Sequence, residues 1–123
     1  MKIKDCVLIE AFKCNQEETI VDVAKKLRKI TLRHIFVTNE QDEPQGIISI
    51  VDINNRVVAE NKNPQELKAK DIMSQPIEIV NLEEDIETFY NKITETNHVM
   101  WPVTENNKMI GIITIHQLMK HIK

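Results

Sequence analysis

The chain has 123 residues, 41% of them hydrophobic, enough for about one compact globular unit with a real core. Lys and Arg number 16 against 19 Asp and Glu, a formal charge of −3, so no basic excess points to nucleic acid or to an anionic membrane. No apolar run approaches the ~20 residues of a membrane span, and no signal-type segment follows Met1. Cys6 and Cys14 lack a CxxC spacing, which argues against a disulfide scaffold and fits free thiols in a reducing compartment. The expectation is a cytoplasmic protein.

Cys6-Val7-Leu8-Ile9 is a short apolar stretch, and a strand is expected near residues 12–14. After the polar turn Asn15-Gln16-Glu17-Glu18, Thr19 caps a helix with Asp22 in the answering position. Ile20, Val23, Ala24, Leu27 and Ile30 share its apolar face. Thr31-Leu32-Arg33-His34 ends it. Ile35-Phe36-Val37-Thr38 is rich in strand formers, residues 39–45 form a hairpin loop, and Gly46-Ile47-Ile48-Ser49 returns. Ser49 caps a second helix with Ile50, Ile53, Val57 and Val58 on its apolar face. Asn61-Lys62-Asn63-Pro64 breaks that helix, because proline disfavours helix at the residue before it.

The plan then repeats. Gly46-Ile47-Ile48-Ser49-Ile50-Val51-Asp52 returns 65 positions later as Gly111-Ile112-Ile113-Thr114-Ile115-His116-Gln117. Lys70-Asp71 echoes Lys4-Asp5, and Asn81, Glu83 and Glu84 echo Asn15, Glu17 and Glu18. Ile77-Glu78-Ile79-Val80 reads as a strand, and Asp85 replaces Thr19 as a cap. Ile86, Phe89, Tyr90 and Ile93 form the next apolar stripe. Trp101-Pro102-Val103-Thr104 matches Ile35 to Thr38, and Ile115, Leu118, Met119 and Ile122 line the last helix. The fold class is therefore α+β: two tandem β-α-β-β-α repeats, 1–63 and 64–123, each marginal alone and expected to pack through their sheets with pseudo-twofold symmetry.

These residues resemble a tandem pair of cystathionine-β-synthase-type (CBS) domains, a Bateman module, over essentially the whole chain. The carrying strings are Gly46 to Asp52, Trp101-Pro102-Val103, Leu32-Arg33-His34-Ile35 and the lead-in Lys70-Asp71-Ile72-Met73. The resemblance implies a regulatory module, not an enzyme, that binds an adenosine-containing ligand (AMP, ADP, ATP or S-adenosylmethionine) in a cleft between the repeats and passes its state to a partner or through a homodimer. It assigns Asp52 to the ribose hydroxyls and Ser49 to ribose or phosphate, with main-chain help around Val37 and Ile48. A carboxylate can accept both hydrogens of a cis-diol, and amides at a helix start favour phosphate. Arg56, Arg33, His34 and Thr114 are weaker candidates. Gln117 stands where the family has Asp and is neutral, which puts the second cleft in doubt as a ribose site.

Each residue also has a plainer reading. Ser49 with Asp52, and Thr114 with Gln117, have the spacing of a helix capping box. Arg56 sits one turn from Asp52 and can pair with it at the surface for ~0.3–0.5 kcal/mol. Arg33 and His34 can end a helix favourably. His34, His98, His116 and His121 show no i, i+4 pair, so no metal site is expected. Cys6, Cys14, the methionines and Trp101 read as core or surface packing. The alternative function is a dimerising interaction module that binds no small molecule. No cofactor is expected beyond the adenosine ligand.

Overall fold

The computed structural model describes residues 1–93 and 98–121. The chain divides into two compact units, Phe12–Ile77 and Met1–Ala11 with Glu78–Lys123. This partition differs from the sequence repeats 1–63 and 64–123. Residues 64–77, which open the second repeat, fold with the sheet of the first, and residues 1–11 fold with the sheet of the second.

In the unit Phe12–Ile77 the order is β1 (Lys13–Asn15), α1 (Ile20–Leu27), β2 (His34–Thr38), β3 (Pro44–Ser49), α2 (Ile50–Ile53) continuing as a π-helical turn Asn54–Val58, and α3 (Ala69–Ile72). The sheet runs β1-β2-β3, with β1 parallel and β3 antiparallel to β2. Central β2 is buried along Ile35-Phe36-Val37-Thr38, as an unbroken apolar strand must be when both faces are covered. Edge strand β3 alternates, burying Pro44, Gly46 and Ile48. Pro44 is tolerated because it opens an edge strand.

Thr19 Oγ1 accepts from the Asp22 amide at 3.3 Å, and Ile20, Val23 and Leu27 of α1 are buried. The helix stops at Leu27, earlier than the expected end near Thr31. Ile30 is still buried, held by a turn in which its amide donates to the Leu27 carbonyl at 3.0 Å. The expected apolar face Ile50, Ile53, Val57, Val58 does not form as a whole. Val57 is buried while Ile50 and Val58 are 48% and 67% exposed. The π-helical turn adds a residue to the turn and rotates these positions off the regular 3.6-residue face.

The other unit begins with a 3-10 turn, Ile3–Asp5, followed by β4 (Val80–Asn81), α4 (Ile86–Ile93), β5 (Met100–Glu105), β6 (Lys108–Thr114) and α5 (Ile115–Met119). Its sheet, β4-β5-β6, copies the first in pairing sense, and both sheets shift register after the same valine, Val37 and Val103. Strand β4 is shorter than the expected 77–80 segment. Asn106 and Asn107, both with positive φ, make the tight β5–β6 hairpin. Ile86, Phe89, Ile93, Trp101 and Leu118 pack into one core with Ile3 and Cys6. Ile122, expected on the last helical face, lies outside the described residues.

The lead-ins attach by duplicated contacts. Ser74 and Ile47 exchange backbone hydrogen bonds of 2.8 and 3.1 Å, and Ile9 and Ile112 do the same at 2.9 Å. Glu17 binds Lys68 and Lys70 at 2.7 and 2.8 Å, and Glu83 binds Lys2 and Lys4 at 3.0 and 3.4 Å. Hydrogen bonds from Lys68 and then Lys70 pull the Glu17 carboxyl from 4.5 down to about 2, and the Lys2 hydrogen bond, with the Lys2 and Lys4 charges, holds the Glu83 carboxyl below its usual range. A carboxylate with a depressed folded-state pKa contributes stability that is complete above its unfolded value of 4.5 and lost as pH falls through about 2. Melting temperature should therefore decline over that acid window. Glu17→Gln and Glu83→Gln should flatten the decline, and because these pairs are exposed, added salt should shrink the difference. An unchanged acid limb in both variants counts against these contacts.

Candidate functional site

The candidate site stands where β3 becomes α2. Ser49 is still extended, with φ −112° and ψ 167°, and the next residue is helical. Its Oγ accepts from the Asp52 amide at 3.1 Å, while Asp52 Oδ2 accepts from the Ser49 amide at 2.9 Å. The capping box is thus formed. It occupies one carboxylate oxygen and leaves the other, Oδ1, 3.8 Å from Arg56 Nη2. An ionised carboxylate offers about four acceptor directions, so cap and arginine together do not exhaust it. The Asp52 side chain keeps 17% of its surface open, against 47% for Arg56.

Strand register brings His34 opposite Ser49. The His34 Nδ1 lies 2.9 Å from the Leu32 carbonyl, which can only accept, so Nδ1 is the donor of that hydrogen bond. Arg33, just before it, is exposed and takes a left-handed backbone with φ 60°. Asp52, Ser49, Arg56, His34 and Arg33 are thus close along the chain or across the β2–β3 pair. Val37 and Ile48 are fully buried. Val37 pairs with both Cys14 and Gly46, and Ile48 pairs with Ile35, so both residues lie in the sheet beneath this end. A polar cavity of about 730 Å³ adjoins Arg56, lined also by Asn55, Glu60, Lys62, Leu67, Asp71 and Ile72.

Thr114 holds the matching position in the other unit. Its amide donates to Gln117 Oε1 at 2.9 Å, and its Oγ1 accepts from the Gln117 amide at 3.4 Å. The Gln117 carboxamide also donates from Nε2 to the Val7 carbonyl. Val7 precedes the bridging Ile9 by two residues, as Ile72 precedes the bridging Ser74. The Ile72 carbonyl receives its hydrogen bond from Arg56 Nη1 at 2.6 Å. A carboxylate at 52 cannot donate, so Arg56, one turn on, supplies the bond that Gln117 supplies alone. Sequence reasoning missed this exchange. Its signal was the joint change of Asp52 with Arg56 to Gln117, with His121 in the place of Arg56.

Trp101 is 1% exposed and sits edge-on to Phe89, so it is core. Cys6 and Cys14 are free and buried. Burial, aided by the Glu18 charge, pushes the Cys14 thiol up to about 12, which keeps it protonated and poorly nucleophilic. Among the described residues no three His, Cys, Asp or Glu side chains gather as a metal site, and no helix is long and apolar enough to cross a membrane.

A family model for the CBS domain matches residues 3–59 and again 69–123. An uncharacterized protein of Methanopyrus kandleri is 37% identical over 106 residues, which cover 84% of this chain and 53% of that protein, so this chain spans about half the length of that relative. Hypoxic Response Protein I, solved with two coordinated zinc ions, superposes with a TM-score of 0.84 over the whole of both chains at 19% identity. The CBS domain pair of protein MJ0100, solved in complex with 5′-methylthioadenosine and S-adenosylmethionine, superposes with a TM-score of 0.76 at 22% identity, covering 98% of this chain and 94% of that one. At these identities the solved structures speak for the fold.

Proposed function

Because the chain belongs to the CBS domain family, matched at residues 3–59 and 69–123, we propose that it is a regulatory, non-catalytic CBS pair that binds an adenosine-containing ligand beside Asp52 and passes the bound state to a partner or through its own dimer. The candidates are AMP, ADP, ATP and S-adenosylmethionine, and the MJ0100 complex supports the choice of class. The observation that carries the reading is the Asp52 carboxylate, fixed by its cap on one oxygen and left with acceptor capacity on the other.

Ribose hydroxyls would donate to Oδ1, and Arg56 would turn from Asp52 toward a ligand phosphate or carboxylate without leaving the Ile72 carbonyl, because a guanidinium has five donors. Ser49 and His34 would flank the ribose, and Val37 and Ile48 would support the base from within the sheet. Thr114 stays a cap in this reading, since Gln117 is bound to the lead-in. The free thiols suit a cytoplasmic setting.

Isothermal titration with AMP, ATP and S-adenosylmethionine tests the proposal. Asp52→Asn keeps an acceptor for the cap but removes the charge, so affinity should fall by roughly 10- to 150-fold, the worth of a hydrogen bond to a charged group at about 1.5–3 kcal/mol. Gln117→Ala should lower melting temperature and leave affinity alone. Heat from none of the three ligands, together with a melting temperature that none of them raises, would retire the sensing function. It would leave the interaction module, a reading favoured by the mutual capping of Ser49 and Asp52.

A further inference from the structure

In the unit Phe12–Ile77 the lead-in is held by backbone at two points. The Ala69 amide donates to the Glu18 carbonyl at 2.8 Å, and Ser74 exchanges hydrogen bonds with Ile47. Between these points the Ile72 carbonyl accepts from a side chain, Arg56 Nη1 at 2.6 Å. The unit ends just beyond, at Ile77. Arg56 therefore has one nitrogen on the segment by which the chain leaves this unit. Its other nitrogen, Nη2, stands 3.8 Å from Asp52 Oδ1, too far for a hydrogen bond. Such a half-exposed ion pair holds the guanidinium only weakly.

The other unit joins cap and lead-in without a charge. Gln117 accepts the Thr114 amide through Oε1 and donates to the Val7 carbonyl through Nε2 of the same carboxamide. One planar neutral group makes the whole link. In the unit Phe12–Ile77 the link is divided between Asp52 and Arg56, and the gap between them is where it is weak. A ligand that fills that gap with negative charge completes the link. A ligand that only takes Asp52 Oδ1 does not.

We infer that Arg56 makes this unit respond to the charge of the bound adenosyl ligand and not to its presence alone. A phosphate beside the ribose fastens Arg56 and, through it, the lead-in Ala69–Ser74. A neutral nucleoside occupies the same place and leaves the lead-in as it was. The guanidinium fork suits this, because one nitrogen can take the anion while the other keeps the Ile72 carbonyl. The lead-in is the element with two arrangements, docked on the edge of β3 or lifted from it, and the ligand favours the docked one only through the contact that Arg56 relays. The inference rests on the ligand site at Asp52 proposed above.

Calorimetry and amide hydrogen exchange on the full chain test it together, with AMP and adenosine each at a concentration that saturates the protein. Under AMP the amides of Ser74 and Ile47 should exchange at least about fivefold more slowly than under adenosine, the lower end of typical coupling between sites. The amides of Ile9 and Ile112, in the twin bridge, should exchange alike under both ligands. Arg56→Ala should abolish the difference at Ser74 and Ile47 even when saturated with AMP, and circular dichroism verifies that it folds. Arg56→Lys keeps the charge but not the fork, so it should retain more AMP affinity than Arg56→Ala and still lose most of the difference. Where adenosine gives no heat, the ligand-free protein takes its place as the reference. Bound AMP with no slowing at Ser74 and Ile47 overturns this inference and leaves the ligand site standing. So does a difference that survives Arg56→Ala, and so does adenosine binding without AMP binding. Slowing spread evenly over both bridges is ligand stabilisation of the whole chain and overturns it too. Heat from neither ligand removes the site at Asp52, and this inference with it.

Discussion

Gly46→Ala is expected to lower the melting temperature by roughly 4–12 °C, following an overpacking cost of about 1–3 kcal/mol. Neither glycine of the chain has a positive φ, so the loss is not conformational. In an ordinary strand this substitution helps, because alanine has less chain entropy to lose. Here a Cβ on Gly46 would stand 2.6 Å from Met73 Sδ, 2.8 Å from Met73 Cγ and 2.9 Å from the Ser74 carbonyl oxygen. The thioether can swing away, but the carbonyl is held by its bridge to Ile47, so the lead-in strand must lift from the edge of β3. Gly111 is less crowded, with Leu8 atoms at 3.0 Å and the Ile9 carbonyl at 3.1 Å, so Gly111→Ala should cost less. Pairing Gly46→Ala with Met73→Ala should recover part of the loss in a double-mutant cycle. Equal melting temperatures for Gly46→Ala and wild type would show that the lead-in does not hold β3 closely.

Trp101→Ala should be the most damaging single change, at about 3–5 kcal/mol, the range for emptying a buried aromatic site. The ring is 1% exposed and meets Phe89 edge-to-face, with centroids 5.4 Å apart and planes at 86°. That geometry adds roughly 0.5–1.5 kcal/mol beyond area burial. Trp101 Nε1 also donates to Glu78 Oε1 at 3.4 Å, an oxygen that His98 Nδ1 approaches at 2.6 Å. Trp101→Phe loses that long donor but keeps most of the ring, and because His98 still engages Glu78 the cost should stay near 1 kcal/mol. Chemical denaturation followed by far-ultraviolet circular dichroism measures both. In the wild type the single tryptophan reports the same transition by fluorescence for the unit that holds it. A Trp101→Ala protein as stable as Trp101→Phe would mean that the Phe89 contact carries little.

The doubled plan was legible because capping and strand signals are local. Thr19 and Asp85 cap as their spacing demands, and Ile20, Val23, Leu27 and their counterparts Ile86, Phe89 and Ile93 bury one helical face. What misled were positions whose fate depends on more than local periodicity. Ile50 and Val58 look like core residues by spacing but turn outward, because a π-helical turn is not written in a hydrophobic period. The Ser49–Asp52 pair supported two readings from spacing, and the structure satisfies the cap while leaving Oδ1 beside Arg56.

By itself the sequence determined the repeat, the two three-stranded sheets and the junction where Ser49 meets Asp52, since these follow from residues close to one another in the chain. Only the tertiary structure decided which sheet each lead-in joins. Residues 1–11 and 64–77 carry only short apolar patterns, which name no partner strand. The choice is made by backbone hydrogen bonds from Ile9 to Ile112 and from Ser74 to Ile47, and by glycines that let those strands approach. Pairing across such distances in sequence depends on what surface is left open once the local elements have formed, and that surface exists only in the folded chain.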